Sequence, residues 1–260
     1  MIHRPTLIAI ALVAYALANI VHECIGHGGT CVFAGAHLQV LSAVHAECDT
    51  AGAGRYAAPL VTAAGTIANL IAAAIAWLAL RARRGTTLLR YFLWLFATIN
   101  LLQATGYWLF SGLGNIGDWA ALVRGLEPHW LYRVVLTIAG ALGYRGAVGF
   151  ALRTLNPMLG AGDERLARAR TLAKVPYFAG GVLYVAAGVL NPVSPLLVVI
   201  SAAAASFGGT SGLAWMSERL RGLAPASEPP ITIARSMPWQ VAAAIVTLVF
   251  VVVLGPGVRF

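Results

Sequence analysis

Charged residues are scarce in this sequence, and acidic residues are the scarcest among them. Only 10% of the 260 residues are charged, with 18 Lys and Arg against 9 Asp and Glu. A soluble domain usually carries about 25% charged residues. Hydrophobic residues make up 59% of the chain, so an ordinary soluble domain is excluded. The composition predicts an integral membrane protein whose main partner is the lipid bilayer.

Seven runs of the sequence are almost free of charge, and a membrane-spanning helix needs about 20 apolar residues. The runs are 5–23, 57–80, 86–110, 131–152, 175–190, 195–215 and 238–254. The fifth run is short, and we interpret it as a span that turns tightly into the sixth at Asn191-Pro192. We therefore expect an all-α polytopic membrane protein with about seven transmembrane helices, forming a single membrane domain over residues 1–260.

The first run also has the features of a secretory signal peptide. Its apolar stretch is short, and Ala14-Tyr15-Ala16 or Ala16-Leu17-Ala18 is typical of a cleavage site. Against this interpretation, a single Arg precedes the run. The residues that follow it, 19–27, have the pattern of a functional site, which favours a retained span.

Basic residues are concentrated at the N-terminus and in every second loop between the predicted spans. This side holds 13 of the 18 basic residues. Such an alternation is a topology signal, since loops rich in Lys and Arg stay in the cytoplasm. It predicts a cytoplasmic N-terminus, an external C-terminus and residence in the bacterial inner (cell) membrane. The net charge of +9 is thereby explained without a nucleic-acid partner.

The three cysteines all fall at the outer end of the first span or in the first outer loop, at Cys24, Cys31 and Cys48. An oxidising compartment would allow Cys31 and Cys48 to form a disulfide. The alternative is that all three are small buried apolar residues.

Ionisable residues inside a span are costly and mark functional sites. Glu23 is the only acid within a predicted span, and it belongs to the stretch His22-Glu23-Cys24-Ile25-Gly26-His27. In zinc peptidases, a His-Glu-x-x-His motif places two histidines on one helix face to bind the metal, and the Glu acts as general base. The stretch therefore predicts a zinc site with His22 and His27 as ligands and Glu23 as the catalytic base.

The spacing of the two histidines is five rather than four. On a regular α-helix, residues five apart point about 140° away from each other. Either a π-bulge realigns the pair, or the helix ends at Gly26 and His27 enters from the following turn.

Asp118 is the natural third zinc ligand, because the inferred topology places it at the same outer depth as the two histidines. A catalytic zinc site needs three protein ligands and an open fourth position. The alternative role of Asp118 is the N-cap of a short interfacial helix running from Trp119 to Gly125.

Residues 15–120 resemble the intramembrane zinc metallopeptidases of the site-2 protease (M50-like) family. The His22–His27 stretch resembles the first-helix motif of that family. Residues 64–69, Ala-Gly-Thr-Ile-Ala-Asn, resemble its Gly-Pro-x-x-Asn stretch, with Thr66 in place of Pro. Residues 100–103, Asn-Leu-Leu-Gln, resemble its Asn-Leu-x-Pro stretch, and Asp118 would be the counterpart of its Leu-Asp-Gly aspartate. The resemblance implies a metal-site core over residues 1–125, with residues 126–260 as additional helices of unknown role.

Four further polar residues are candidate accessory groups. His45 and Glu47 lie in the first outer loop and could supply a fourth ligand, a proton shuttle or a lid; a solvated loop is the alternative. Asn69 and Asn100 lie within spans, where they could bind substrate backbone or form hydrogen bonds between helices.

Three hypotheses for function follow from these residues. The first is a metallopeptidase of the site-2 protease type, a Zn²⁺ hydrolase acting on a transmembrane peptide. The second is a zinc hydrolase whose substrate is a lipid or small amide in the outer leaflet. The third is a non-catalytic metal-binding or structural membrane protein, which the five-residue spacing supports.

Overall fold

Helices make up most of the structure. This computed structural model describes residues 1–83, 85–193, 198–225 and 229–260, and the side chains of residues 198–201 are not part of the description. The α-helices are α1 (Arg4–Ile20), α2 (Thr30–Phe33), α3 (Ala57–Ala82), α4 (Leu88–Gly114), α5 (Asp118–Leu122), α6 (His129–Leu155), α7 (Glu164–Val189), α8 (Gly212–Trp215) and α9 (Met237–Leu248). Among the described residues, π-helical segments cover Val21–Gly29, Val198–Gly208 and Val249–Val253, and 3₁₀ segments cover Asn156–Met158 and Met216–Gly222.

Within the described ranges, four helical segments are long and apolar enough to cross a membrane. They are Arg4–Phe33, Ala57–Ala82, His129–Met158 and Glu164–Val189. The prediction of a mostly helical chain with helices able to span a bilayer is confirmed to this extent. The predicted third span coincides with α4, which has 27 residues but is not one of these four segments. Its buried residues include the polar Asn100 and Gln103. The start of the predicted sixth span, residues 195–197, lies outside the described residues.

Large apolar side chains cover much of the outer surface of these helices. On α6, Trp130, Val135, Ile138 and Leu142 are each more than half exposed. Soluble monomers rarely expose a continuous apolar surface of this kind. The outward faces are therefore suited to contact with lipid tails rather than with water.

The core is formed around α1, whose side chains pack against α4, α7 and α9. Several polar groups within this core form hydrogen bonds between separate elements. The Tyr15 hydroxyl lies 2.8 Å from Thr210 Oγ1, and the Tyr184 hydroxyl donates to the Tyr15 carbonyl oxygen over 2.9 Å. Trp94 Nε1 donates to the carbonyl oxygen of Ala151 at 2.9 Å. Such hydrogen bonds contribute to helix association where no water competes for the same groups.

A small antiparallel sheet lies beyond the helix ends, and the expectation of an all-α chain is wrong on this point. Its strands are β1 (His37–Leu41), β2 (Ala46–Asp49) and β3 (Val258–Arg259), in the order β2-β1-β3. The strands are too short for a period of two to be recognised in the sequence. The third comes from the far end of the chain, where no local pattern indicates its partner.

A disulfide joins Cys31, in α2, to Cys48, in β2. The predicted pair is present, and Cys24 is the free cysteine. The bond ties the hairpin to the end of the first helical segment, directly beside the His22–His27 stretch.

The two chain termini lie at opposite ends of the helical bundle. Ile2 forms a bridge with Ile233, close to the start of α1. At the other end, β3 pairs with β1, which follows the first helical segment. Asn191, after α7, donates from Nδ2 to the carbonyl oxygen of Gly255 over 3.1 Å. The sheet and the disulfide therefore share one end, and residues 2 and 233 share the other.

Candidate metal centre

A π-helical segment, Val21–Gly29, aligns the two histidines of the motif. It continues α1 without a break, so the helix does not end at Gly26 as the second interpretation of the spacing required. In a π-helix each N–H bonds to the carbonyl five residues earlier, and this wider turn brings residues five apart to the same side of the helix. The extra residue between His22 and His27 is thereby accommodated, and both rings point to the same side.

Three ligand atoms meet at this point in a nearly equilateral triangle. His22 Nε2 and His27 Nε2 are 3.3 Å apart, and Asp118 Oδ2 lies 3.5 Å from the first and 3.2 Å from the second. A tetrahedral zinc ion with ligands at about 2.0–2.1 Å requires separations of about 3.3–3.4 Å between them. The triangle therefore has the dimensions of three corners of a zinc site.

The ring of His22 is held in one tautomer by a chain of amides. Asn100 donates from Nδ2 to the Phe96 carbonyl oxygen, 2.8 Å away, and its Oδ1 accepts from Asn69 Nδ2 over 2.8 Å. Asn69 Oδ1 must then accept from His22 Nδ1, at 2.7 Å. Because Nδ1 carries the hydrogen, Nε2 presents its lone pair to the centre of the triangle. Both asparagines thus connect helices and orient a ligand.

The ring of His27 is held in the same tautomer by the backbone of α3. Its Nδ1 donates to the carbonyl oxygen of Val61 over 2.7 Å, and a carbonyl can only accept. Metal-binding histidines commonly donate their second ring nitrogen in this way. Two lone pairs and a carboxylate oxygen therefore face one another with no hydrogen atom assigned between them, which is the arrangement that a cation satisfies.

Asp118 is positioned by the turn after α4 and by an anchor on α3. Asn115 has φ 54° and Gly117 has φ 85°, so the chain reverses sharply before α5 begins at Asp118. Trp119 Nε1 donates to Thr66 Oγ1 over 2.8 Å, which holds α5 against α3. Asp118 makes no capping hydrogen bond, and the N-cap of α5 is Gly117. The alternative role of Asp118 as an N-cap is wrong, because its carboxylate turns toward the histidines.

The Asp118 carboxylate lies in a partly buried position. Burial raises the pKa of Asp118, but rings of His22 and His27 that carry a second hydrogen, as they can while no metal is bound, hold it well below its usual range. The carboxylate then stays ionised, and a bound metal would take the place of those ring hydrogens. The Oδ2 atom of Asp118 is buried and has no hydrogen-bond partner. A buried charged oxygen without a partner is costly, and a bound cation would remove that cost.

Gly65 leaves the space into which both ligand nitrogens reach. A Cβ atom at this position would lie 2.5 Å from His27 Nε2 and 2.6 Å from His22 Nε2. Gly26 packs directly against Gly65, since a Cβ atom added at Gly26 would lie 2.6 Å from Gly65 Cα. The π-helical segment and α3 therefore touch through two glycines, and this contact brings the histidines onto α3.

We expect Gly65→Ala to abolish most zinc binding by displacing both imidazoles. Alanine is a better helix former than glycine by about 1 kcal/mol, so α3 itself should not be weakened. Zinc would be measured by elemental analysis of purified protein, beside Gly149→Ala. A Cβ at Gly149 meets nothing within 4 Å, and that variant should keep wild-type zinc. Full zinc content in Gly65→Ala would show that the nitrogens do not bind where the structure places them.

Glu23 lies beside the triangle and lines a cavity of about 840 Å³ together with His27 and Asp118. Glu23 as a whole residue is 9% exposed. Binding pockets commonly measure about 300–1,000 Å³. Apolar side chains form much of the remaining wall, among them Val61, Leu109, Phe110, Leu113 and Ile116. The cavity can therefore hold a partly apolar molecule beside the ligand triangle.

Of the remaining candidate residues, Asn69 and Asn100 hold the ring of His22, and His45 lines the cavity. Within the described residues, the ligand atoms that lie within 4.8 Å of one another belong to His22, His27 and Asp118, so His45 and Glu47 are not among them. His45 lines the cavity instead, and its Nε2 is 3.4 Å from Glu47 Oε1. The role of the Val61 carbonyl has no sequence signal, since every residue has a carbonyl group. Thr66, which accepts the hydrogen bond from Trp119, does have a sequence signal, because it replaces Pro in the Gly-Pro-x-x-Asn stretch.

The chain was also compared with known proteins. No protein-family model, curated protein or solved structure matches it.

Proposed function

We propose that this protein is a membrane-embedded zinc hydrolase in which His22, His27 and Asp118 hold the metal. The observation that carries the proposal is the triangle of two imidazole nitrogens and one carboxylate oxygen, with edges of 3.2–3.5 Å. Two histidines with one carboxylate and an open position form a common ligand set of catalytic zinc. The cavity beside the triangle supports an open position that a substrate could reach.

Glu23 is the catalytic base in this proposal. A zinc ion, when bound, supplies a Lewis acid that polarises a carbonyl and lowers the pKa of water. Glu23 takes the proton of the attacking water and later passes it to the leaving group, the usual work of a general acid–base residue. Asn69 and the Val61 carbonyl keep the histidine rings in the tautomer that exposes Nε2.

We propose a peptidase of the site-2 protease type as the first substrate class. Three separate stretches carry the resemblance to that family, and the structure brings all three together. The His22–His27 stretch meets Gly65 and Asn69, and Asn69 meets Asn100. A lipid or small amide from the outer leaflet is the alternative, because an apolar cavity would also accept an acyl chain.

Hydrolysis by the zinc-loaded protein tests the proposal. Purified protein would be incubated with quenched fluorescent transmembrane peptides and, separately, with fluorescent N-acyl amides in the same detergent. We expect cleavage of one class, its loss on chelation, and its return on adding zinc. Full zinc occupancy without cleavage of either class would favour the non-catalytic hypothesis. Occupancy by iron instead of zinc would contradict the proposed chemistry, since two histidines and one carboxylate also form the ligand set of non-haem iron.

We further propose seven spans with the metal centre at the external face of the bacterial inner membrane. The opposite locations of the two termini support an odd number of crossings. The Cys31–Cys48 disulfide supports an oxidising compartment on the side of the metal centre. This orientation agrees with the basic loops, such as those near Arg81 and Arg165, which lie at the other end of the helical bundle.

Reporter fusions at loop glycines test this topology. The segments between the long helices contain glycines with positive φ, at Gly52, Gly85, Gly125 and Gly162. Fusions after Gly85 and Gly162 are expected to be active as cytoplasmic reporters, and fusions after Gly52 and Gly125 as external ones. The reverse pattern would place the metal centre at the cytoplasmic face.

A further inference from the structure

Tyr107, on α4, places a phenol ring in the wall of the cavity that Glu23, His27 and Asp118 also line. Its ring packs against the ring of His22, with 5.4 Å between the two centroids. Tyr107 therefore lies beside a proposed metal ligand and beside the space that a substrate would occupy.

The end of the ring that carries the hydroxyl lies at the turn before Asp118. A Cβ atom added at Gly117 would lie 3.3 Å from Tyr107 Cε1 and 3.6 Å from Cζ, the carbon to which the hydroxyl is bonded. The Asp118 and Glu23 carboxylates are both near enough to interact electrostatically with the phenol. The polar end of the ring is therefore close to the third proposed ligand and to the proposed base.

The hydroxyl of Tyr107 is free to donate a hydrogen bond. It forms none within the described part of the chain, and a phenol keeps its hydrogen at neutral pH. Two polar atoms nearby, Trp108 Nε1 and Ser111 Oγ, are buried without a partner, but the Tyr107 hydroxyl is not closed off in this way. Because Tyr107 is half-buried and lines the cavity, the space that its hydroxyl reaches is the cavity. The donor is therefore available to a bound molecule.

Tyr144, a second tyrosine of the cavity wall, provides a contrast. Its hydroxyl accepts from the Gly212 N–H over 2.7 Å and lies 3.0 Å from Ser211 Oγ. Those bonds connect α6 to the start of α8, so they give the Tyr144 hydroxyl a structural role. The Tyr107 hydroxyl has no such bond among the described residues, and its removal would leave no protein group there without its partner.

We propose that Tyr107 is a second catalytic residue, whose hydroxyl donates a hydrogen bond to the carbonyl oxygen of the substrate. This role rests on the proposed hydrolase function. When water adds to the scissile carbonyl, the carbon–oxygen π bond breaks and its electron pair passes to the carbonyl oxygen. A donor that is already in place for that oxygen stabilises the negative charge as it develops.

The phenol keeps its own hydrogen throughout this reaction. The proton of the attacking water goes to Glu23 and then to the leaving group, as the bond between the carbonyl carbon and the leaving group breaks. Tyr107 and Glu23 therefore have separate roles in one cavity, the first as a hydrogen-bond donor and the second as the carrier of the proton.

Tyr107→Phe tests this role, because it keeps the ring that packs against His22 and removes only the hydroxyl. Octylphosphonate and octanethiol have the same apolar tail. The phosphonate has several negatively charged oxygens, so one can bind the metal while another meets the phenol, whereas the thiol binds the metal through sulfur alone. Both affinities, and the zinc content, would be measured on zinc-loaded wild type, Tyr107→Phe and Tyr132→Phe. Tyr132 is a half-buried tyrosine of α6 outside the cavity wall and serves as the matched control.

We expect Tyr107→Phe to keep its zinc, to weaken octylphosphonate about 10- to 100-fold, the range for a hydrogen bond to a charged group, and to leave octanethiol unchanged. Tyr132→Phe should match the wild type in all three measurements. Loss of zinc from Tyr107→Phe, an equal loss of affinity for both ligands, or no loss for octylphosphonate would overturn the role of Tyr107 while the metal centre stands. The same holds if the wild type binds octanethiol but not octylphosphonate. If the wild type binds neither ligand, the metal centre itself is wrong, and the role of Tyr107 is overturned with it.

Discussion

Glu23→Gln is expected to keep its zinc and lose about 10²- to 10⁴-fold in turnover, the usual range for removal of a general base. The carboxylate lies in the cavity wall beside the ligand triangle but is not part of it. Glutamine keeps the size and polarity of the side chain, so the π-helical segment should fold as before. Zinc content and turnover would be measured on the same preparation, with the substrate class found for the wild type.

Glu127→Gln is the matched control for this variant. Glu127 is an exposed acid in the loop before α6 and has no place in the cavity wall. Its replacement should leave both zinc and turnover unchanged. If Glu23→Gln kept full turnover, Glu23 would have no part in the reaction. If it lost zinc while remaining folded, Glu23 would be a ligand, and the roles in the centre would have to be reassigned.

His22→Ala and Asp118→Ala are each expected to lose most of the bound zinc. Each removes one of three protein ligands, and a catalytic zinc site normally has three. Asp118→Ala also removes the only carboxylate of the triangle, and with it the negative charge that the two neutral imidazoles do not supply. Elemental analysis of purified protein, as moles of zinc per mole of chain, would measure the effect.

Exposed residues of the same types provide controls for the two ligand variants. His37→Ala and Asp163→Ala change an exposed histidine and an exposed aspartate outside the triangle, and both should bind zinc as the wild type does. Formation of the Cys31–Cys48 disulfide in each variant would show that the β1–β2 hairpin is still folded. Wild-type zinc in both His22→Ala and Asp118→Ala would contradict the ligand set.

Much of the helical framework could be predicted from the sequence, because the apolar runs are a direct consequence of the length and polarity of a bilayer. The run at 57–80 corresponds to α3, and the run at 131–152 lies within α6. The small sheet could not be predicted in the same way. β3 is two residues long and pairs with β1 from the opposite end of the chain, so its formation depends on the assembled bundle.

The candidate ligands could be named from residue type and depth, but their geometry could not. The spacing of His22 and His27 left two arrangements open, and only backbone hydrogen bonding distinguishes a π-helix from a helix end. The carbonyl of Val61 carries no side-chain signal, although it sets the tautomer of His27. The contact of Gly26 with Gly65 depends on how two helices cross, which the local sequence does not specify.

X-ray absorption at the zinc edge of the purified wild-type protein tests the central claim most directly. The account predicts nitrogen and oxygen ligands at about 2.0–2.2 Å, with the outer-shell scattering of two imidazoles. Sulfur is the informative alternative, because Cys24 lies in the same π-helical segment as both histidines and is free. A zinc–sulfur distance of about 2.3 Å, or spectra with no imidazole scattering, would contradict a centre formed by His22, His27 and Asp118.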